Sequence, residues 1–179
     1  MGPVPGRAQA LARSSGFTLI ELMVVICVVA LLFGVALDRL FRYQELAERA
    51  ALQQNLAAIN VALTSKFAAL IVAGRAQLIE AEVGANPVTL LVRPPENYLG
   101  ELYSPQPEQL VPRSWYYDPA ARDLVYVPSR TRYLSTDGQV PDRLRFGIVL
   151  SPPSPSGGAI RELRQPMIVA RQPYTWAIE

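Results

Sequence analysis

The sequence has no histidine, and it has one cysteine and one lysine, Cys27 and Lys66, among its 179 residues. The missing histidine removes both the commonest general base and the commonest metal ligand of proteins. A single cysteine excludes an intramolecular disulfide and a metal site built on several thiolates. The 17 basic and 15 acidic residues nearly balance, which argues against a nucleic-acid partner. No phosphate-binding loop or paired carboxylates appear either, so the sequence predicts neither an enzyme nor a cofactor.

Charge is also almost absent from one long apolar stretch. Residues 17–37 read FTLIELMVVICVVALLFGVAL, and Glu21 is their only charged side chain. As a helix these residues would extend about 31 Å, which matches the hydrocarbon thickness of a bilayer. Residues 1–16 are basic, with Arg7 and Arg13 and no acid, and are typical of a targeting leader. A carboxylate in hydrocarbon costs about 2.5–3.5 kcal/mol, so Glu21 needs a reason to be there.

Proline and glycine are absent from residues 38–73, so the helix is expected to continue to about Gly74. Apolar residues recur there every three or four positions and predict an amphipathic stripe that packs on the rest of the protein. The stripe consists of Leu52, Leu56, Ile59, Leu63, Phe67 and Leu70. Charged residues before the stripe, including Glu45 and Glu48, are expected among lipid headgroups and water.

Residues 74–179 are rich in proline and glycine and contain short β-type runs. Residues 114–117 and 124–127 flank a turn-forming segment and predict a hairpin. Residues 144–150 alternate between apolar and other side chains, and residues 167–170 and 174–178 are further strand candidates. The expected fold class is α+β, with a long N-terminal helix packed on a small antiparallel β-sheet. The expected domains are a leader at 1–16, an apolar half-helix at 17–37, an amphipathic half-helix at 38–73 and a β-rich head at 74–179.

The stretch GFTLIEL, from Gly16 to Leu22, resembles the N-terminal signature of type IV pilins and type II secretion pseudopilins. The likeness covers about residues 13–40. It implies that a prepilin peptidase cuts between Gly16 and Phe17 and that the new amine of Phe17 is methylated. It also implies a subunit assembled through its N-terminal helix.

The position of Glu21 has a physical explanation that does not depend on the resemblance. Cleavage after Gly16 would leave a positive amine on Phe17, at the edge of the apolar run. In a bundle of such helices, the amine of one subunit can meet Glu21 of a neighbour where the dielectric constant is low and an ion pair is strong. Because desolvation offsets much of that gain, the pair is expected to specify register and partner more than to add stability.

The resemblance implies a set of partners and a location. The partners would be other pilin or pseudopilin subunits, the prepilin peptidase and an inner-membrane assembly platform. The chain would cross the bacterial inner membrane once, with its C-terminal head in the periplasm, before it joins a periplasmic filament. Major pilins commonly have two C-terminal cysteines, which are missing here. Residues 84–87, GANP, match only part of a stretch typical of the major pseudopilin, so a minor subunit is favoured.

Several alternatives stay open at the level of sequence. The chain could be a minor pilin of a type IV or mannose-sensitive haemagglutinin-type pilus, or a signal-anchored periplasmic enzyme or binding protein. An ordinary secretory signal is a further alternative, because small residues at 34–36 suit a signal peptidase, although the apolar run is longer than usual for one. The loop from Asp137 to Asp142 is expected to be a polar turn, with calcium binding as the alternative.

Overall fold

The structure is a computed structural model that describes residues 2, 17–103, 105–152 and 164–177. Its one α-helix, α1, runs over Leu19–Val72. Three short 3₁₀-helices follow at Ala76–Glu82, Pro87–Leu90 and Pro107–Gln109. Seven strands complete the fold: β1 (Tyr98–Glu101), β2 (Ser114–Asp118), β3 (Asp123–Val127), β4 (Leu134–Ser135), β5 (Leu144–Leu150), β6 (Pro166–Ala170) and β7 (Thr175–Trp176). The chain forms two compact units, Met1–Phe41 and Arg42–Glu179, which are described separately below.

The α+β prediction is confirmed: a long N-terminal helix packs with a small, mostly antiparallel sheet. The main sheet has the order β1-β2-β3-β5-β6, and β4 and β7 form a second, two-stranded sheet. One pairing differs from the expectation, because β1 lies parallel to β2. A parallel pair needs a long connection rather than a tight turn. Here residues 102–113 make that connection.

Glycine ends α1 where the sequence predicted. Gly74 has a φ of +68°, a conformation that glycine adopts without steric cost. The Gly74 N–H donates to the Ile71 carbonyl at 2.9 Å, and the Arg75 N–H donates to the Leu70 carbonyl at 2.8 Å. This pair of bonds satisfies carbonyl groups that the last turn of a helix leaves without intrahelical partners.

The predicted hairpin is formed by β2 and β3, which pair antiparallel from Ser114↔Val127 to Asp118↔Asp123. The turn between them is fixed by Asp118, whose Oδ1 accepts from the N–H groups of Ala120 and Ala121 at 3.1 and 3.2 Å. An aspartate that binds the backbone two and three residues ahead is a common way to start a turn.

The main core of the second unit lies between the C-terminal part of α1 and one face of the sheet. The helix contributes the buried stripe residues Leu52, Ile59 and Leu63, as predicted. The sheet and the loops around it contribute Val88, Trp115, Leu124, Tyr126, Leu134, Leu144, Phe146, Ile148, Ile168 and Trp176. The side chain of Asn60 accepts a hydrogen bond from the Ile168 N–H at 2.9 Å, so α1 also satisfies a backbone group of the edge strand β6.

The opposite face of the sheet is partly covered and partly charged. Tyr116, Val125 and Val127 are buried there, and Leu102 and Leu110 of the β1–β2 connection pack against them. Next to this apolar patch, the Arg171 guanidinium donates to Asp123 at 2.7 Å. Arg145 lies 3.8 Å from Asp118 and 3.9 Å from Asp123 and completes a network of alternating charge.

Candidate functional site

The helix α1 begins at the residues that the sequence analysis singled out. Thr18 precedes the first helical residue, and its Oγ1 accepts from the Glu21 N–H at 3.3 Å. The Thr18 carbonyl accepts from the Leu22 N–H at 3.1 Å. Threonine in this position, with glutamate three residues later, is a helix-start pattern that satisfies N–H groups of the first turn. Glu21 is therefore the third helical residue, where the helix dipole favours a negative charge.

Phe17 and Glu21 lie within the described part of the chain, and Gly16 lies outside it. Within the described residues, the Glu21 carboxylate forms no hydrogen bond or ion pair, although its backbone N–H donates to Thr18. Phe17 is 65% exposed. The structure thus describes Phe17, on one side of the predicted cleavage position, and a Glu21 carboxylate that has no counter-charge among the described residues.

The apolar segment after Thr18 is exposed all round within the first unit. None of its most apolar 18-residue window is buried inside the chain, and the helix is long and apolar enough to cross a membrane by length and composition. Hydrophobic residues on every side of a helix fit a lipid or protein surrounding rather than water. Cys27 belongs to this surface and is a free, exposed cysteine.

In the second unit, Glu45 and Glu48 correct a prediction. They were expected among headgroups and water, yet they are only 2% and 1% exposed. They lie on the face of α1 that packs against the strands and loops, because they continue the stripe toward the N-terminus: positions 45, 48, 52, 56, 59 and 63 keep a spacing of three or four. That spacing was visible in the sequence, but glutamate at two of the positions concealed it.

Glu48 holds strand β3 and the loop that follows it against the helix. Its Oε1 accepts from the Tyr126 hydroxyl at 2.8 Å and from the Ser129 N–H at 2.7 Å. Its Oε2 accepts a very short hydrogen bond from the Ser129 hydroxyl. Three donors on one carboxylate compensate for its burial, since a buried charged group is tolerated only when hydrogen bonds satisfy it.

Glu45 makes a similar connection one helical turn earlier. Its Oε1 accepts from the indole N–H of Trp176 at 2.9 Å and from the Tyr133 backbone N–H at 3.1 Å. Trp176 lies on β7 and Tyr133 directly precedes β4, so one oxygen links the helix to β7 and to the residue before its partner strand. On the solvent side, Arg130 donates to the Gln44 side chain at 2.7 Å.

The environment of Tyr126 follows from these contacts. Burial, reinforced by the negative charge of Glu48 and by the hydrogen bond to it, raises the pKa of Tyr126 well above its usual range. Burial likewise raises the pKa of Tyr174, against the opposing effect of Arg49. Both hydroxyls therefore stay protonated under conditions in which free tyrosine ionises.

A cleft of about 390 Å³ lies beside Glu48. Its walls carry one further acid, Glu96, one base, Arg113, and the side-chain amides of Gln54, Asn55 and Asn97. The lining therefore offers both hydrogen-bond donors and acceptors. Apart from Glu48, whose carboxylate is already hydrogen-bonded, its charges balance.

The acidic loop forms a tight turn. Asp137 and Gly138 have φ values of +49° and +78°, and the N–H and carbonyl groups of Thr136 and Gln139 exchange hydrogen bonds of 2.8 and 2.9 Å across them. This is a two-residue hairpin turn of the kind that Asp-Gly favours. Across residues 17–103, 105–152 and 164–177, no three or more acidic or cysteine side chains cluster in a way that could hold a metal ion.

The aromatic residues of the hairpin are buried. Trp115, Tyr116 and Tyr117 are 3%, 0% and 5% exposed. Trp115 contacts Tyr126 with ring centroids 4.7 Å apart, and this pair lies under the helix.

Comparison with known proteins adds one finding. The family model for the prokaryotic N-terminal methylation motif matches residues 11–37. No curated protein and no solved structure matches the chain. The matched segment contains the predicted cleavage position and most of the exposed apolar helix, and together they indicate membrane anchoring. This chain thus carries the N-terminal methylation motif that is the signature of type IV pilins and pseudopilins.

Proposed function

We propose that this protein is a structural subunit, a minor pseudopilin, of a type II secretion system. A prepilin peptidase removes residues 1–16, and the amine of Phe17 is methylated. Residues 17–37 then cross the inner membrane once. Residues 38–73 continue the helix on the periplasmic side, where residues 74–179 form the head. The observation that carries the proposal is the methylation motif at residues 11–37, on a helix whose apolar surface is exposed on all sides.

The assembly step centres on Glu21. Its backbone is satisfied by Thr18, while its carboxylate has no partner within the described residues. When subunits stack with an axial shift, the Phe17 amine of a neighbour supplies the missing positive charge. An ion pair in such a dry bundle is strong only when its geometry is good, so it selects one register among many.

The chain's charge balance supports close packing of subunits. Removal of residues 1–16 takes away Arg7 and Arg13 and no acid, which leaves fifteen basic and fifteen acidic side chains. Subunits without a net side-chain charge do not repel one another when they are stacked in a filament. The role is non-enzymatic, and any work on a secreted protein is mechanical or depends on recognition by the head.

Mass spectrometry of the protein from its native membrane tests the processing step. We expect a mature chain of residues 17–179 with a methyl group on the Phe17 amine. A mature chain that starts near residue 37 would identify an ordinary secretory signal. An intact leader would contradict the whole proposal, because the amine that pairs with Glu21 would then never form.

Substitution of Glu21 tests the assembly step. Glu21→Ala removes the carboxylate from the third position of the helix, and we expect a subunit that is inserted and processed but does not enter filaments. Cys27→Ala, on the same exposed apolar segment, is the matched control and should assemble normally. Normal incorporation of Glu21→Ala would refute the pairing.

A minor pilin of a type IV or mannose-sensitive haemagglutinin-type pilus is the second candidate. It is favoured by the same motif, which both kinds of subunit share. Co-purification from native membranes separates the two. Recovery of secretion-channel components identifies a pseudopilin, and recovery of pilus retraction components identifies a pilin.

A further inference from the structure

One end of the second unit has an excess of basic side chains, and its acids are buried. Residues 42–51 and 128–133 contain four arginines, and their only acids are Glu45 and Glu48. Both glutamates are buried and bonded to backbone, hydroxyl and indole donors. We name the four arginines, Arg42, Arg49, Arg130 and Arg132, the basic patch.

Contacts inside the second unit bring the two parts of the basic patch together. Ser129 binds Glu48, Tyr133 binds Glu45, and Arg130 binds Gln44, so the loop 128–133 lies along the first turns of this unit's helix. Arg49 is close enough to Tyr174 to lower its pKa. Arg132 lies over the ring of Tyr133, 5.6 Å from its centre. The four arginines therefore belong to one end of the second unit, although the mature chain as a whole has as many acidic as basic side chains.

The chain itself limits how far this end is from the membrane. Arg42 is the fifth residue after Leu37, the last residue of the apolar run. Even fully extended, five residues reach no farther than about 18 Å. Residues 38–41 add one acid and one base, and the cleft beside Glu48 adds Glu96 and Arg113, so neither changes the balance.

We propose that the basic patch binds the anionic headgroups of the membrane surface and so holds the head against the bilayer before the subunit is extracted. The inference rests on the single span and the orientation in the proposed function. Arginines attract anionic lipid when they lie within about a Debye length, roughly 8 Å at physiological salt. The attraction depends on the summed charge, so it does not require any guanidinium to lack a protein partner.

The proposal also explains a feature of the sequence. Basic residues normally collect on the cytoplasmic side of a membrane helix. Here Arg39, Arg42 and Arg49 lie beyond the apolar run, on the side of the head. Anionic lipid occurs in the outer leaflet of a bacterial inner membrane as well, so arginines in this position have a binding partner there.

The test uses the full chain in lipid nanodiscs. A fluorophore is attached at Thr131→Cys in a Cys27→Ser background, and a lipid with a nitroxide on its headgroup quenches it. We expect quenching to be about twofold stronger in phosphatidylcholine–phosphatidylglycerol discs than in phosphatidylcholine discs. We also expect the difference to vanish in about 1 M salt, where the Debye length falls to about 3 Å.

The matched variants have equal charge. Arg130→Gln combined with Arg132→Gln should abolish the effect of anionic lipid. Arg75→Gln combined with Arg93→Gln removes the same charge from exposed positions beyond the C-terminal end of α1 and should retain it. Because Arg130 also binds Gln44, Arg49→Gln serves as a second patch variant, and near-UV circular dichroism checks that each head is folded.

The proposal would be overturned if the fluorophore on the chain with all its arginines were quenched equally in both lipid mixtures. It would also be overturned if the Arg75/Arg93 control lost the effect of anionic lipid as fully as the patch variants. Patch variants that keep full quenching but lose co-purification with other subunits would assign the patch to an acidic protein surface instead. The measurement needs neither leader cleavage nor filament assembly. A failure here therefore leaves the mass-spectrometric test of processing unaffected, and the reverse also holds.

Discussion

Replacement of Glu48 tests whether a buried carboxylate holds the helix and the strands of the head together. Glu48→Ala removes the acceptor of the Tyr126 hydroxyl and of the backbone and side chain of Ser129. Glu48→Gln keeps one oxygen at the position of Oε1, where two of these donors converge. Its amide group then faces the Ser129 hydroxyl, which can accept a hydrogen bond as well as donate one.

The two substitutions should differ in cost. A buried donor without a partner costs about 1–3 kcal/mol, and Tyr126 is buried with 4% exposure. Ser129 is exposed, so water from the adjacent cleft can replace part of what it loses. We expect Glu48→Ala to lower the free energy of unfolding by about 3 kcal/mol, and Glu48→Gln by about 1 kcal/mol. For a unit of this size these values correspond to falls in Tm of about 10 °C and about 3 °C.

Tryptophan fluorescence of the full chain in detergent measures the effect, because Trp115 and Trp176 are both buried in the second unit. Gln53→Ala, at an exposed position on the same part of α1, is the control and should change the free energy of unfolding by less than about 0.5 kcal/mol. The reasoning fails if Glu48→Ala is as stable as the control. It also fails if Glu48→Gln costs as much as Glu48→Ala, since the charge and not the set of hydrogen bonds would then matter.

Two further predictions concern the head. The pKa of Tyr126 is raised in the folded state, so its stabilising effect is complete below pH 10 and is lost as the pH rises above that value, where the unfolded chain ionises. In urea unfolding above pH 10, the free energy of unfolding should fall by about 1.4 kcal/mol per pH unit for each such tyrosine. Tyr126→Phe should make this dependence on pH shallower, and an unchanged slope would contradict the assignment. A Cβ atom at Gly147 would overlap the Arg171 guanidinium, so Gly147→Ala should displace that group from Asp123. Because Arg171 is 39% exposed, the loss should be less than about 1 kcal/mol, and it should disappear in an Arg171→Ala background; an equal loss in both backgrounds would refute the overlap.

Most of the fold could be predicted because the sequence pattern has strong local causes. The helix continues beyond residue 37 because residues 38–73 contain no proline or glycine, and Gly74 ends it by adopting a positive φ. The hairpin follows from β-type runs on both sides of Asp118, which binds the turn. The parallel pairing of β1 with β2 was missed, since residues 98–101 include Gly100, with a φ of +90°, and their sequence YLGE does not alternate between apolar and polar side chains. Their pairing depends on the path of the connecting residues 102–113, which no pattern within residues 98–101 predicts.

The N-terminal signature and the buried glutamates show opposite limits of sequence interpretation. Glu21 attracts attention because a charge interrupts an apolar run, and its position on the helix follows from Thr18 three residues before it. The burial of Glu45 and Glu48 was not predicted, because glutamate is almost never fully buried unless it is paired. Their partners lie about eighty or more residues away in the chain, at Tyr126 and beyond, so no local pattern announces them.

Glu45 and Glu48 contribute to the specificity of the fold more than to its stability. Apolar side chains of similar volume in place of each glutamate together with its hydrogen-bonding side chains would stabilise the second unit about as well, because burial of a charge offsets much of its attraction. An apolar contact, however, tolerates many arrangements of the loop 128–133 and of β7. Glu45 and Glu48 accept hydrogen bonds from residues 126, 129, 133 and 176, which come from four separate points of the chain, and only one arrangement satisfies all of them. The same choice removes two negative charges from the surface and leaves the neighbouring arginines in excess. Under the proposed function, a head that is held at a fixed position beside a membrane gains from both effects.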